Sequence, residues 1–282
     1  MTRFSLVLST VDRTDEVKQF LSFLDSQTHR QFEVIVVDQN KDGRLLPVLE
    51  PYEKKFSIVR CTSEPGLSRA RNVGLKYVAG DIVAFPDDDC RYPPELLERV
   101  ATFLGNHPDV GGVTGRILTS NPGQVGTARF DKKAGLLTQA NIWHRANSIG
   151  IFLRRKVAEK IGGFDEALGV GAGTLWGGGE DIDFPLRAVK SGFKIYYMPD
   201  LYVFHPSPPE HDYSRLADRA YGYGAGIGRV WRKHNYPLWL VAYYLLRPLG
   251  GACLSFITGD KDKACYYIAA FRGRFKGWFP SK

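Results

Sequence analysis

The chain has 282 residues and a formal net charge of +8, with 44% hydrophobic and 24% charged residues. These are ordinary globular proportions: they exclude wholesale disorder, and the length suffices for one large domain or two small ones with a substantial core. The four cysteines, Cys61, Cys90, Cys253 and Cys265, stand far apart, so neither a disulfide framework nor a zinc knuckle is expected, and a reducing compartment fits.

The opening MTRFSLVLSTVDRTDE turns polar within ten residues, too soon for the apolar core of a signal peptide, so a cytoplasmic protein is expected. Apolar, β-branched runs at 4–9, 32–38, 56–61 and 81–85 predict four strands. Between the first two, Val17, Phe20, Leu21 and Leu24 recur at helical spacing, with Asp15 and Glu16 in the first turn. A β-α-β unit follows, and with it an α/β fold whose central sheet is mostly parallel. GLSRARNVGL, 66–75, opens a helix that Ser68 can cap. Arg69 and Arg71 are two positions apart and cannot share a face, so one reaches a ligand while the other pairs on the surface. After FPDDDC, Pro93 and Pro94 suit a helix start, and Leu96, Leu97, Val100, Phe103 and Leu104 form its buried stripe. The first half closes near VGGVTGRI, 110–117, and the Gly-rich, polar stretch 118–147 reads as loops and short strands covering a site. A strand, a short helix stopped by Gly162 and Gly163, and a loop come next. GGGEDIDF then opens a helix near Glu180 that runs to Gly192, with Ile182, Leu186 and Val189 on one face, and 194–206 returns as strand.

In an open parallel sheet, ligands bind beyond the carboxyl ends of the strands. Three polar stations fall there: Ser9 to Asp12, Asp38 to Asn40 and Asp87 to Asp89. Alternation along an extended backbone puts Asp87 and Asp89 on one face and Asp88 on the other. The triplet is either a hard-oxygen site for Mg²⁺ or Mn²⁺ or a solvated acidic turn. Acceptors, a metal and the basic groups Arg69 and Arg71 together suit a nucleoside diphosphate. Asp38 is otherwise a turn residue after a strand. Glu180 and Asp181 either complement the helix dipole or supply a general base, and Trp176 either packs or offers a face to a sugar ring. The turn after the first strand lacks G-x-G-x-x-G, which disfavours a dinucleotide oxidoreductase.

The segments FSLVLSTVDRT, QTHRQFEVIVVDQN, GLSRARNVGLKYVAGDIVAFPDDDC, IGGFDEALG and GGGEDIDFPLRAVKSG, in this order over residues 3–206, resemble the inverting nucleotide-sugar glycosyltransferases of family 2, with the GT-A fold. The resemblance implies a metal-dependent transfer of one sugar from a nucleotide-diphosphate sugar to a glycan or lipid-linked saccharide, in cell-surface polysaccharide synthesis. It implies donor contacts at Ser9, Val11, Asp38, Gln39, Arg69, Arg71, Asp87 and Asp88, and a Mg²⁺ or Mn²⁺ on Asp89 with Asp87 and His205. Asp181, paired with Glu180, would be the catalytic base, and Trp176 and Gly178 would meet the acceptor. The chain is expected to divide into a nucleotide-sugar half at 1–117, an acceptor and base half at 118–210, and, beyond the resemblance, a helical region at 211–282. Gln39 stands where many members carry a second acidic residue, and Val11-Asp12 where Tyr-Asn is common, so the nucleotide stays open. The Q-x-x-R-W signature of processive synthases is absent, which favours single addition. A sugar-phosphate nucleotidylyltransferase and a catalytically silent nucleotide-sugar-binding protein are the alternatives, although a nucleotidylyltransferase is expected to carry a Gly-rich loop where LSTVDRTDE has no glycine.

The basic excess is concentrated after residue 210, which suits an anionic surface. The apolar segment 236–258 is interrupted by Arg247, Pro248 and two glycines, so its runs are shorter than the ~20 residues a bilayer span needs. It reads either as an interfacial helical hairpin at the cytoplasmic membrane face or as an appendage packed on the catalytic domain or forming a dimer interface. Nucleic acid is not expected, because the basic residues alternate with core-like apolar runs.

Overall fold

The structure is a computed structural model, and it describes residues 1–119, 130–206 and 213–279. Two compact units interleave along the chain. The first comprises Met1–Pro65, Arg69–Phe164 and Phe184–Ser207; the second comprises Gly66–Ser68, Asp165–Asp183 and Pro208–Lys282.

The first unit is built on an eight-stranded sheet. Strands β1 (Phe4–Thr10), β2 (Phe32–Asp38), β3 (Ser57–Thr62) and β4 (Ile82–Ala84) run parallel, in the spatial order β3-β2-β1-β4. The sheet continues through β7 (Ile151–Arg154), β5 (Val110–Thr119), β8 (Lys194–His205) and β6 (Gly135–Leu136). β7 is antiparallel to both β4 and β5, β5 is parallel to β8, and β6 is antiparallel to β8. Every residue of β1 and β2 is buried, as expected of strands covered on both faces, and this is why they read as continuous apolar runs without alternation.

Helix α1 (Asp15–Asp25) buries the predicted stripe Val17, Phe20, Leu21 and Leu24, and α4 (Leu96–Asn106) buries Leu96, Leu97, Val100 and Leu104. These side chains join the strands in one core. Helix α2 (Leu46–Glu53) carries Pro47 in its first turn, where a missing N–H costs nothing, and buries Leu49 and Tyr52. Helix α3 (Leu67–Leu75) lies close on the sheet at Gly74, where a Cβ would stand 2.4 Å from Val7 Cγ1. Helix α5 (Arg155–Ile161) ends, as predicted, at Gly162, whose φ of 74° favours glycine. Helix α6 (Glu180–Lys190) starts at the expected residue. Residues 120–129 of the stretch expected to cover the site lie outside the described residues. The remainder holds β6, a 3₁₀ turn at Ile142–His144, and Asn147, whose side chain donates to Gly115 O and accepts from Gly150 N.

The second unit contains helices α7 (Tyr213–Lys233), α8 (Leu238–Ile257) and α9 (Lys261–Trp278). Glycines set its spacing. A Cβ on Gly228 would lie 2.1 Å from Arg274 O, and one on Gly277 would lie 1.9 Å from Ala225 O, so α7 and α9 meet backbone to backbone. The other α7 face uses Gly226, where a Cβ would be 1.9 Å from Gly178 O, to receive the WGGG loop.

Segment 236–258 departs from the expectation of an interrupted run: α8 is one continuous helix of 20 residues through Arg247 and Pro248. Proline inside a helix has no N–H for the carbonyl four residues back, here Tyr244. Arg274 of α9 replaces that donor, its Nη1 lying 2.5 Å from Tyr244 O. The helical hairpin is therefore α8 with α9, joined at Thr258 to Asp260.

Candidate active site

In the first unit the three polar stations come together at the carboxyl ends of the strands. Ser9, at the end of β1, forms an isolated parallel bridge with Asp87 just past β4. Arg91 and Phe204 exchange two backbone hydrogen bonds of 2.8 and 3.0 Å, which brings the end of β8, and with it His205, alongside the acidic triplet. The triplet is a turn, closed by Cys90 N to Asp87 O at 3.3 Å. Asp87 and Asp89 nonetheless come together, through the turn and not through the alternation of an extended strand, while Asp88 and Asp89 share the Arg13 nitrogen.

Each carboxylate has its own partners. Asp87 accepts a hydrogen bond from Arg71 Nη2 at 3.1 Å. Asp88 is buried and accepts from Thr10 Oγ1 at 2.7 Å and Arg13 Nη1 at 2.8 Å. Asp89 accepts from the same Arg13 nitrogen at 2.6 Å and lies 3.1 Å from His205 Nε2. One ligand atom each from Asp87, Asp89 and His205 lies within 4.8 Å of the other two. His205 Nδ1 is 2.7 Å from Pro206 O, a contact that fixes the ring and leaves Nε2 toward the carboxylates. Two hard carboxylates and an imidazole suit a small divalent cation.

The local fields follow. Burial pushes the Asp89 carboxyl up, but His205 and Arg13 outweigh it and hold it at about 2. Burial also works against the His205 imidazolium, yet Asp89 and then Asp87 raise it above its ordinary 6.5. Asp88 is raised, because its burial outweighs Thr10 and Arg13.

Arg71 and Arg69 divide as their spacing required. Arg71 is only 1% exposed and stacks over the Phe164 ring at 5.3 Å, whereas Arg69 is exposed and donates to Pro65 O at 3.3 Å. Beneath Arg71, Phe164 stacks on Phe184 with centroids 4.0 Å apart, and Phe85 meets both edge-on. Each of the segments FPDDDC, IGGFDEALG and EDIDF thus contributes one ring to the support under Asp87. Asn72 adds a two-way clamp, accepting from Phe164 N at 2.6 Å and donating to Phe164 O at 3.0 Å. Ser68 does not cap α3 as expected; it is the second helical residue, and its hydroxyl donates to Leu168 O at 2.6 Å.

Asp38 is fully buried, and its two oxygens accept four hydrogen bonds. Asn40 N and Nδ2 reach Oδ1 at 2.9 and 2.8 Å; Arg60 Nε and Nη2 reach Oδ2 at 3.0 and 2.7 Å. This carboxylate braces the loop after β2. Beside it lies a cleft of about 340 Å³ lined by Gln39 to Lys41 and Thr62 to Pro65. Val11, in the loop after β1, is exposed. Arg13 and Arg60 escaped the sequence reading, because each acquires meaning only from a carboxylate 75 or 22 residues away.

The second unit holds the other predicted residues. Glu180 is buried, its carboxyl carbon 3.1 Å from where a Cβ on Gly169 would be, while Asp181 beside it is half-buried. One helical position sets an accessible carboxylate apart from an inaccessible one. Asp183, 1% exposed, accepts from His234 Nε2 at 2.8 Å and pairs with Lys233 Nζ at 2.8 Å; Lys233 also bridges to Asp165 at 2.7 Å. Trp176 has Arg229 over its ring at 4.5 Å, and Gly178 packs against Tyr223 of α7.

The family model described as glycosyl transferase family 2 matches residues 5–162, more than half of the chain. The chain belongs to glycosyl transferase family 2. Glycosyltransferase AglE of Haloferax volcanii is 25% identical over 261 residues, covering 86% of this chain and 82% of that protein. Among solved structures, the mannosyltransferase PcManGT from Pyrobaculum calidifontis, in complex with GDP-Man and Mn²⁺, superposes with a TM-score of 0.65 at 18% identity, covering 100% of this chain and 88% of that one. S. aureus TarS 1–349 in complex with UDP-GlcNAc gives 0.62 at 17% identity, covering 96% and 91%; against a longer TarS structure this chain spans 55% of that chain. At these identities the structural likeness shows the fold, which is GT-A. This family 2 member is thus a glycosyltransferase by family, and the nucleotidylyltransferase alternative falls away.

Proposed function

We propose that the chain moves one sugar from a nucleotide-diphosphate sugar to a hydroxyl of a glycan or lipid-linked saccharide in cell-surface polysaccharide synthesis, with inversion at the anomeric carbon. Its cofactor is Mg²⁺ or Mn²⁺, for which Asp87, Asp89 and His205 are the ligands. The observation that carries this reading is the convergence of these three residues beyond the strand ends. The two solved neighbours named with GDP-Man and Mn²⁺ and with UDP-GlcNAc support it. A divalent ion there would offset charge on the departing diphosphate.

The protein's own groups do the rest. Gln39 and Asn40, braced by Asp38 and Arg60, present polar atoms to the nucleoside, and Arg71 orients Asp87. The acceptor oxygen forms a bond to the anomeric carbon as the bond from that carbon to the diphosphate oxygen breaks, and the electron pair leaves with the nucleoside diphosphate. Asp181 takes the acceptor hydroxyl proton; the exposure that separates it from buried Glu180 favours it for this role.

Calorimetric titration with UDP, dTDP, GDP and CMP, each with and without Mn²⁺, tests the metal site. One nucleotide is expected to bind only with metal, and Asp89→Ala to abolish that binding. Asp181→Asn should retain nucleotide affinity and lose roughly 10²–10⁴ in kcat. Binding that ignores both metal and Asp89 would return the triplet to an acidic turn.

A further inference from the structure

Independently of the transfer reaction, helices α8 and α9 present a surface that nothing in the second unit covers among the described residues. α8 turns Leu240, Val241, Pro248, Ala252 and Ser255 inward. Its outer stripe runs through Trp239, Tyr243, Leu246, Leu254 and Ile257, spaced three, four or eight residues apart and therefore on one face. Trp239 is 71% exposed, Leu254 63% and Ile257 82%. The stripe extends for roughly 27 Å, and Arg247 is the one ionisable side chain with a formal charge in the whole helix. On α9, exposed Phe275 is interleaved with exposed Lys261 and Arg272 and half-buried Lys276. An apolar stripe of this length is more than the scattered exposure normal for a soluble surface.

Three occupants are conceivable, and the charges choose among them. α8 is long and apolar enough to cross a bilayer, but it is locked to α9 by Arg274 on Tyr244 O and by Gly251 against the Tyr267 ring. Crossing would draw Arg272, Arg274 and Lys276 into hydrocarbon with it. A second copy of this chain would meet the stripe across a two-fold axis and set Arg247, Lys261 and Arg272 against a rim of the same sign. A bilayer surface with anionic headgroups satisfies both halves of the pattern: aliphatic side chains and aromatic rings enter the headgroup–acyl boundary while the basic rim meets phosphate. We propose that the outer face of α8 and α9 is a monotopic docking site for an anionic lipid surface, with α8 lying in the plane of the interface.

The test is co-sedimentation of the full chain with vesicles of phosphatidylcholine alone or mixed with phosphatidylglycerol. The chain should pellet with the anionic vesicles, less with neutral ones and less as salt rises. The triple variant Trp239→Ser, Leu246→Ser, Leu254→Ser should lower partitioning by roughly a hundredfold with its circular dichroism spectrum intact. Arg247→Gln with Arg272→Gln, both exposed and outside the apolar stripe, should abolish the preference for anionic over neutral vesicles and serves if the triple variant misfolds. Failure to pellet with either vesicle, or equal pelleting by the variants, overturns the proposal. So does resistance to alkaline carbonate extraction, which would mean a span. A vesicle-free light-scattering mass of two chains that falls to one in the triple variant would make the stripe an interface between copies instead, and also overturns it.

Discussion

The three adjacent aspartates have different partners, and those partners predict how the loss of each will read. Asp88 is buried between Thr10 and Arg13, so Asp88→Ala leaves a hydroxyl and part of a guanidinium short of an acceptor. We expect a stability loss of about 1–3 kcal/mol in urea melts with metal-dependent nucleotide binding retained, whereas Asp89→Ala should remove that binding as well as the stability of its contacts with Arg13 and His205. The Asp89–His205 contact adds a pH signature in metal-free protein. His205 is raised above 6.5 by its two carboxylate neighbours. Its contribution is therefore complete below 6.5 and is lost as pH rises through the raised value. The Tm gap between the parent and His205→Asn should be widest on the acid side of 6.5 and close on the alkaline side; a gap that widens with pH would contradict the contact. Much of this site was legible at this scale, because strand ends follow from apolar runs and functional groups in parallel sheets gather there. Arg13 and Arg60 were not. In sequence each is a charged residue among many, and only the sheet's register sets it against its carboxylate.

At the scale of elements, the largest departure from the sequence is α8, and its cause is non-local. Pro248 should interrupt a helix at a cost of about 3 kcal/mol, and the remedy comes from Arg274, 30 residues from the Tyr244 carbonyl it satisfies. Arg274 is also held at about 10, lowered by burial and then by Arg247, so this hydrogen bond is made by a guanidinium in an unfavourable field. If the bond compensates the proline, Arg274→Met should destabilise the parent by about 1–3 kcal/mol and cost less in a Pro248→Ala background, where an N–H reaches Tyr244 from within the helix. Equal costs in the two backgrounds would mean that Arg274 acts by packing alone. The α7 glycines were equally opaque: YGYGAGIG reads as a poor helix by propensity. It is a helix because those positions admit the α9 and Gly178 backbones, and Gly277→Ala, with its Cβ 1.9 Å from Ala225 O, should be among the least tolerated changes in the second unit.

For the whole molecule, chain connectivity matters more than either unit alone. The first turn of α6, Glu180 to Asp183, belongs to the second unit and the rest of the helix to the first. The proposed donor and metal ligands lie in the first unit, and the proposed base is in that first turn. What fixes the turn is Asp183, 1% exposed and held by His234 and Lys233 at the end of α7, 51 and 50 positions along the chain. Leaving a buried carboxylate short of one hydrogen-bond donor costs about 1–3 kcal/mol, even with Lys233 still paired to Asp183. His234→Leu should therefore destabilise measurably, and His234→Leu with Asp183→Asn should recover part of the loss, since a neutral amide costs less than a carboxylate to keep buried with a lone pair unmet. The kinetic signature separates positioning from general damage. In the double variant, nucleotide affinity in the presence of metal should match the parent, because the proposed nucleotide and metal contacts are all residues of the first unit, while kcat should fall, because the proposed base Asp181 stands two positions from Asp183 in the same turn. Equal losses in affinity and kcat would mean that the α7 tether supports the fold alone and has no part in placing the base.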